Sequence, residues 1–445
     1  MKHALAPSPL ELRDFNRRAF LQRAGMAVAG LSALKFSTAK AADPQPAAAA
    51  DAKTQTVALV RGPELGMKPH SLRVGDGAGG WTWQPAEFRF LHSPDSHITP
   101  YGLAQMDNGE IAVMASRGVM TSTGEVSETA CIAFSSDGGS TWSDWHLVPD
   151  APGRPMGLAD LGRGKLSFYT NKRFFSSDNG RTWPETVNVP PAAEEGSGWG
   201  GEGAPLVERD AAGNIAIAEL GYRNIVDYPA SPTMNYFRWS RDGGRTWEKA
   251  VSPKEWLWED SWDGKTYVRG VSEGSVVRAK NGWLVAALRT DMPARWIATK
   301  NDNYEGCAVS ISRDDGRTWS PLQVLHRGGR MHMHFVKMAD GTLVMIYVMR
   351  QDIAPDGVHY ASYRRGCGAL VSRDNGLTWD LTRECRLHEF DFATSREGSA
   401  HEGISTLACG HTCSTLLSDG SILTAYGHYI SKGIAMIRWK LPAAR

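Results

Sequence analysis

The sequence predicts an all-β fold, a six-bladed β-propeller, and three observations predict it. A Ser-x-Asp-x-Gly-x-Thr-Trp motif occurs five times, apolar runs alternate around Gly-centred turns, and the 445 residues include 47 Gly and 16 Trp. Repetition of this kind marks a chain built from similar units that bury their apolar faces against one another.

The motif copies run from Ser135 to Trp142, Ser176 to Trp183, Ser240 to Trp247, Ser312 to Trp319 and Ser372 to Trp379. Each residue type has a task. Asp137, Asp178, Asp242, Asp314 and Asp374 accept backbone N–H bonds inside a tight turn. Gly139, Gly180, Gly244, Gly316 and Gly376 supply the positive φ that such turns demand. The Thr hydroxyl bonds locally, and the Trp anchors the hairpin between sheets. Ser136 and Ser177 precede the Asp in the first two copies, where Arg241, Arg313 and Arg373 stand in the others. These carboxylates are therefore expected to be structural.

Between the motifs lie hairpins of two apolar strands. They centre on Asn108-Gly109, Gly162, Gly213, Asn281-Gly282, Asp340-Gly341 and Asp419-Gly420. Asn-Gly and Asp-Gly between β-rich runs are the strongest short-range hairpin signal. Six hairpins imply six blades over residues 57–445, read as a single domain. The last hairpin lacks a motif of its own and is expected to close the ring with Val57 to Val60 or with Phe88 to Leu91.

Residues 1–41 do not belong to this pattern. Arg17-Arg18-Ala19-Phe20-Leu21, a short apolar run from Ala24 to Leu34 and Ala39-Lys40-Ala41 resemble a twin-arginine export signal with its cleavage site. Residues 42–56 read as a disordered leader. The expected location is the periplasm or beyond, with no membrane attachment after cleavage. The net charge of +1, from 49 basic and 48 acidic residues, excludes a nucleic-acid binder working through a broad basic field. The six cysteines show no CxxC or Cys-His zinc spacing and are expected to be buried thiols or an occasional bridge.

A propeller lines its central channel with the first strand of each blade, and the hairpin glycine serves as a ruler along that strand. Nine residues before Gly282, Gly341 and Gly420 stand Glu273, His332 and His411. His97 in the first blade and Glu202 in the third are placed near the same level. Titratable groups at equivalent positions converge on one pocket.

The five motifs resemble the Asp boxes of the sialidase superfamily. The resemblance implies a propeller whose boxes lie on outer hairpins, away from the catalytic face. It implies an arginine triad for a substrate carboxylate, a Tyr nucleophile activated by a Glu, and an Asp acid/base. Glu273 in Ser272-Glu273-Gly274-Ser275 looks like the activating Glu, and Arg289 in Ala287-Leu288-Arg289-Thr290 like the second arginine. The remainder departs from that pattern. His97-Ile98-Thr99-Pro100 stands where the family has Arg-Ile-Pro, and His411-Thr412 replaces the nucleophile's Tyr-Ser. His332, flanked by Arg330 and His334, stands at the third arginine.

The substituted site predicts a glycoside hydrolase of sialidase-like fold but not a standard sialidase, acting on an acidic or other glycan. Its catalytic candidates are Glu273, His411, Glu202 and His97, since carboxylates and imidazoles serve as general acid and base. Arg289, His332, His334, Tyr101 and Arg330 are the candidates for binding substrate, with Trp199, Trp256 and Trp296 as stacking platforms. One alternative is a polysaccharide lyase with His332, His334 or His411 as base and Tyr426 or Tyr101 as acid. Another is a non-catalytic carbohydrate-binding propeller. No cofactor is predicted, although His97, His332, His334 and His411 form the set that a metal would use.

Overall fold

A strand buried on both faces is apolar throughout, whereas one with a wet face alternates. Both patterns occur here. Leu284–Thr290 and Leu343–Met349 are buried at every residue, while Trp81–His92 alternates along most of its length. The computed structural model describes residues 56–57, 66–93, 97–120, 126–192, 199–224, 230–299, 304–354, 359–362, 364–391 and 409–442. The predicted signal and nearly all of the leader lie outside the described residues.

The architecture is all-β, with short 3₁₀ turns at Lys254–Trp256, Ala294–Thr299 and Leu381–Arg383. Antiparallel sheets are arranged as in a propeller. Their first strands touch in a closed circuit. His97–Gln105 meets Met156–Gly162, which meets Leu206–Arg209, then Val271–Arg278, Arg330–Lys337 and Cys409–Leu416, and the last returns to His97–Gln105. Among the described residues the hydrogen-bond ladders delineate four sheets of four or more strands, one of three and two of two. That differs from six separate blades for a physical reason. Lys68–Gly75 pairs with Cys385–Asp391 on one side and Trp81–His92 on the other, fusing two blade-sized sheets into one of nine strands.

Closure uses the second of the two expected partners. Gly433–Trp439 pairs with Trp81–His92, placing Ala435 opposite Phe90 and Ile437 opposite Phe88. Thr56–Val57 instead pairs with Trp145–Pro152. The seam thus joins the two ends of the described chain through a full antiparallel ladder. All six cysteines are buried free thiols.

Each Asp box is a closed set of hydrogen bonds. Asp242 accepts from the Thr246 backbone N–H at 2.9 Å and from its hydroxyl at 2.6 Å, and the Ser240 hydroxyl donates to it at 2.7 Å. Asp137, Asp178, Asp314 and Asp374 repeat the arrangement. Trp142, Trp319 and Trp379 each donate the indole N–H to the box Gly carbonyl three residues earlier. In Asp242 partial burial works to raise the pKa, yet the bonds from Thr246 and Ser240 outweigh it and hold the carboxyl below its ordinary value.

The boxes therefore stabilise the fold in their ionised form. A carboxyl with a depressed folded pKa contributes stability above the unfolded value near 4 and loses it as pH falls further. Asp242→Ala is expected to lower stability by about 1–2 kcal/mol at pH 7. In thermal melts the gap between variant and parent should narrow below about pH 4. A gap independent of pH would assign the effect to the turn's shape and not to its carboxylate.

Candidate functional site

The first strands are irregular at one level. Their ladders slip between Pro100 and Gly102, Met156 and Ala159, Val271 and Gly274, Met331 and His334, and Gly410 and Thr412. A bulge inserts an extra residue and re-aims its side chain. The residues within these slips include Tyr101, Glu273, His332 and His411. His332 and His411 take φ of 54° and 50°, a conformation that costs a non-glycine residue about 1–3 kcal/mol. Glu202 arrives on the segment before Leu206–Arg209. Glycine at 203 is required there, because a Cβ would overlap the Gly274 carbonyl oxygen.

These side chains form one buried network. Arg289 Nη1 donates to Glu273 Oε2 at 2.8 Å, and His332 Nδ1 lies 2.8 Å from the same oxygen. Arg289 Nε also pairs with Glu305. Glu202 Oε2 lies 3.3 Å from His411 Nδ1 and 3.7 Å from His332 Nδ1. The two imidazole rings stand 4.2 Å apart between centroids. Tyr101 Oη is 3.4 Å from His411 Nε2. Glu202 also receives the Tyr222 hydroxyl at 3.4 Å and has Arg154 at 3.7 Å, and Arg154 is fixed by Glu128 at 2.9 Å. Burial pushes the Tyr101 phenol well above its ordinary pKa.

Arg350 decides the state of His332. Its Nη2 stands 3.0 Å from His332 Nε2, and its Nε donates to the Cys409 carbonyl at 3.0 Å. A guanidinium only donates, so His332 Nε2 accepts and the ring proton sits on Nδ1, facing Glu273. Glu202, His332 and His411 do bring one ligating atom each to within 4.8 Å of one another. A metal at His332 Nδ1 would nevertheless have to displace the proton that Arg350 keeps there. The set fits a carboxylate–imidazole network and not a cation site.

Of the predicted residues, Glu273, His411, Glu202, Arg289, His332 and Tyr101 come together. Arg330 does not. It turns to Asp352 at 2.6 Å and the Gln351 carbonyl at 3.1 Å, in a separate buried set with Glu384 and Arg386. His334 lies in the following stretch of strand, and among the described residues no hydrogen bond or ion pair joins it to the network; burial pulls its pKa down to about 4. His97 opens its strand opposite Gly118, and its side chain lies outside the described residues. Trp256 is core, Trp296 stacks on Tyr304 at 3.8 Å, and Trp199 lies under Arg238. Tyr426 is fully buried with its hydroxyl 2.5 Å from His388 Nδ1. A cavity of about 550 Å³ opens elsewhere, beside Trp83, Gln84, Arg373 and Arg383, and none of the network residues lines it.

The sequence reading missed Arg350, Arg154, Tyr222 and Glu305. A signal for Arg350 exists. Val348-Met349-Arg350-Gln351-Asp352 repeats the pattern of Ala287-Leu288-Arg289-Thr290-Asp291 one blade on. The other three lie near strand ends, where no hairpin ruler reaches.

Residues 161–386, just over half of the chain, match the BNR repeat-like domain. No curated protein sequence matches the chain. Its fold is similar to that of a protein of unknown function from Dyadobacter fermentans, 18% identical at a TM-score of 0.53, over 80% of this chain and 99% of that one. It is also similar to Trypanosoma rangeli sialidase, 15% identical at 0.45, covering 87% of this chain and 59% of the sialidase. Penicillium chrysogenum alpha-L-arabinanase, in complex with arabinobiose, is 11% identical at 0.46, over 83% of this chain and 98% of that one. Likeness at these identities is one of fold.

His334 gives a test of the site's surroundings. A histidine whose folded pKa is depressed contributes full stability above the unfolded value near 6.5 and loses it as pH falls toward the folded value. Stability is expected to decline between about pH 6.5 and 4. His334→Leu should flatten that decline by about one proton's slope in chemical denaturation. An unchanged slope would show that His334 is charged when folded.

Proposed function

Because the chain belongs to the BNR repeat-like domain family, we propose that it is an exported six-bladed propeller that hydrolyses glycosidic bonds at the mouth of its channel. Each first strand in the closed circuit counts as the inner edge of one blade, and the nine-stranded sheet counts as two. The observation that carries the chemistry is the joint burial of Glu273, Glu202, His332 and His411, three of them within bulges at the starts of strands. A core built for stability alone gains nothing from gathering ionisable groups, whose burial is costly unless each is paired.

In this reading Glu273 is the working carboxylate. A charge-assisted bond from Arg289 and the close approach of His332 Nδ1 fix its orientation, as a base that takes a proton from attacking water must be fixed. Arg289 is committed to Glu273 and Glu305, so it positions the base and is not reserved for a substrate carboxylate. That widens the substrate range to neutral as well as acidic glycans. Tyr426, one candidate acid of the lyase alternative, is sealed in the core, so that alternative would have to use Tyr101. The N-terminal signature supports function outside the cytoplasm.

The test is the mature protein against a panel of neutral and acidic glycans, following reducing ends and ultraviolet absorbance together. Glu273→Gln is expected to lower kcat/KM by about 10²-fold or more, with a thermal melt confirming that it folds. Absorbing, unsaturated products would move the reaction to lysis. Binding without turnover on every substrate would leave a carbohydrate-binding propeller.

A further inference from the structure

The cavity beside Trp83 lies where Lys68–Gly75 joins two blade-sized sheets. Val74 pairs with Cys385 on one side and with Thr82 on the other. The strand Gly433–Trp439 accompanies Trp81–His92 only as far as Ala86. Thr82 to Pro85 therefore run on without a ladder on that side, and the cavity of about 550 Å³ opens against them. Small-ligand pockets span about 300–1,000 Å³. The place is remote from the Glu273 network. Arg373 and Thr378 follow the strand end where Ser372 pairs with Leu343. Met349, at the other end of Leu343–Met349, pairs with Arg330 beside His332, about 20 Å away at the usual rise per residue.

The lining suits one kind of ligand. Its buried side chains, Val74 and Cys385, are apolar, and Leu441 and Pro442 add apolar surface. The carboxylates around them are already engaged. Asp76 accepts the Ala78 and Gly80 backbone N–H groups at 2.7 and 2.9 Å. Asp380 accepts the Thr382 N–H and hydroxyl and faces Arg383 at 3.3 Å. Arg373 is different. Among the described residues its guanidinium donates to the Thr342 hydroxyl at 3.3 Å and forms no ion pair. Trp83 is the most exposed large apolar side chain among the described residues, at 69%. Arg73 covers the Trp81 ring at 4.4 Å, whereas no ring or cation of the described residues covers Trp83. Tryptophan and arginine are the residues that dominate binding surfaces. A guanidinium forks onto a carboxylate, and an indole offers a flat apolar face with an N–H at its edge. A sugar ring bearing a carboxylate presents the matching surfaces, an apolar C–H face and a charged, hydroxyl-lined rim. An added peptide strand suits the open edge poorly, because Pro85 has no N–H to pair with it.

We propose that this cavity is a second glycan-binding site, at which Arg373 binds a carboxylate of an acidic polysaccharide and Trp83 packs against its sugar rings. The proposal rests on the hydrolase reading for the class of ligand but not for any reaction. The site performs no chemistry. Holding a polymer there raises the concentration of its other segments at the Glu273 network, as a tether does. A short glycoside cannot reach both places and gains nothing.

The test is affinity electrophoresis of the mature protein through gels carrying polygalacturonate, alginate, polysialic acid or neutral dextran. At least one acidic polymer is expected to retard the protein, dextran is not, and added salt should weaken the retardation. Arg373→Ala and Trp83→Ala, each checked by thermal melt, should raise the apparent Kd about tenfold or more. Glu273→Gln should leave it unchanged. No retardation by any acidic polymer would overturn the proposal, and so would retardation that survives both cavity variants or that Glu273→Gln removes. Sedimentation covers the other occupant. A dimer that Trp83→Ala dissociates would give the patch to a second copy of this chain and overturn the glycan site. Turnover is read separately. Both cavity variants should keep their kcat/KM on a short glycoside and lose about tenfold on the polymer; equal losses on both would contradict a remote site. Absence of turnover on every glycan would defeat the hydrolase reading and leave the binding result to decide this one.

Discussion

Glu273 is a carboxylate almost without solvent, and that constraint organises the side chains gathered around it. A buried carboxylate persists only when its lone pairs are satisfied by donors in good geometry. Arg289 reaches it from the neighbouring strand of the same sheet, and His332 from the first strand of the next. Each donor then requires partners of its own, Glu305 for Arg289 and Arg350 for His332. The network is therefore a consequence of burying one charge among the first strands. It also ties adjacent sheets together where their strands begin.

The Asp boxes meet the opposite requirement. Their carboxylates sit close to water, each closing its own turn within a few residues, as Asp242 does with Ser240 and Thr246. Such local rings cost little to form and do not depend on neighbouring sheets. The tryptophans extend the effect inward, as where Trp319 packs edge-on against Phe237 of the preceding sheet and beside Trp256 of the 3₁₀ turn Lys254–Trp256. Stability is thus supplied at the rim by self-contained turns and between sheets by aromatic packing. The strained His332 and His411 conformations at the centre are held by that surrounding structure.

This division explains what was legible in the sequence. The boxes are local, so their residues lie within eight positions and betray the repeat outright. The hairpin glycines fix a register, so counting from Gly282, Gly341 and Gly420 lands on Glu273, His332 and His411, which the structure brings together. Arg330 and His334 illustrate the limit of counting. Both are close to His332 in sequence, yet the ladder slips between Met331 and His334, His332 meets Glu273, and Arg330 pairs with Asp352. Arg154 was invisible because a contact across sheets leaves no spacing in the chain, and Tyr222 because its pairing with Gly200 lies beyond the strand that the hairpin glycine registers. The fused nine-stranded sheet was likewise unreadable, since it depends on Lys68–Gly75 finding Cys385–Asp391 more than three hundred residues away.

The imidazoles are the chemical point at which this chain departs from the sialidase pattern it resembles. A clamp of arginines presents fixed positive charge to a substrate. A pair of histidines presents charge only when protonated, and the two rings here are not equivalent. Arg350 holds one ring neutral, while Glu202 faces the other on the side away from Tyr101. Two like residues at equivalent strand positions thus meet different partners. Divergent environments around paired titratable groups are what separate an acid from a base in an active site. The repeat supplies the equivalence of position, and the partners, Arg350 beside His332's own strand pair and Glu202 from another sheet, supply the difference in surroundings.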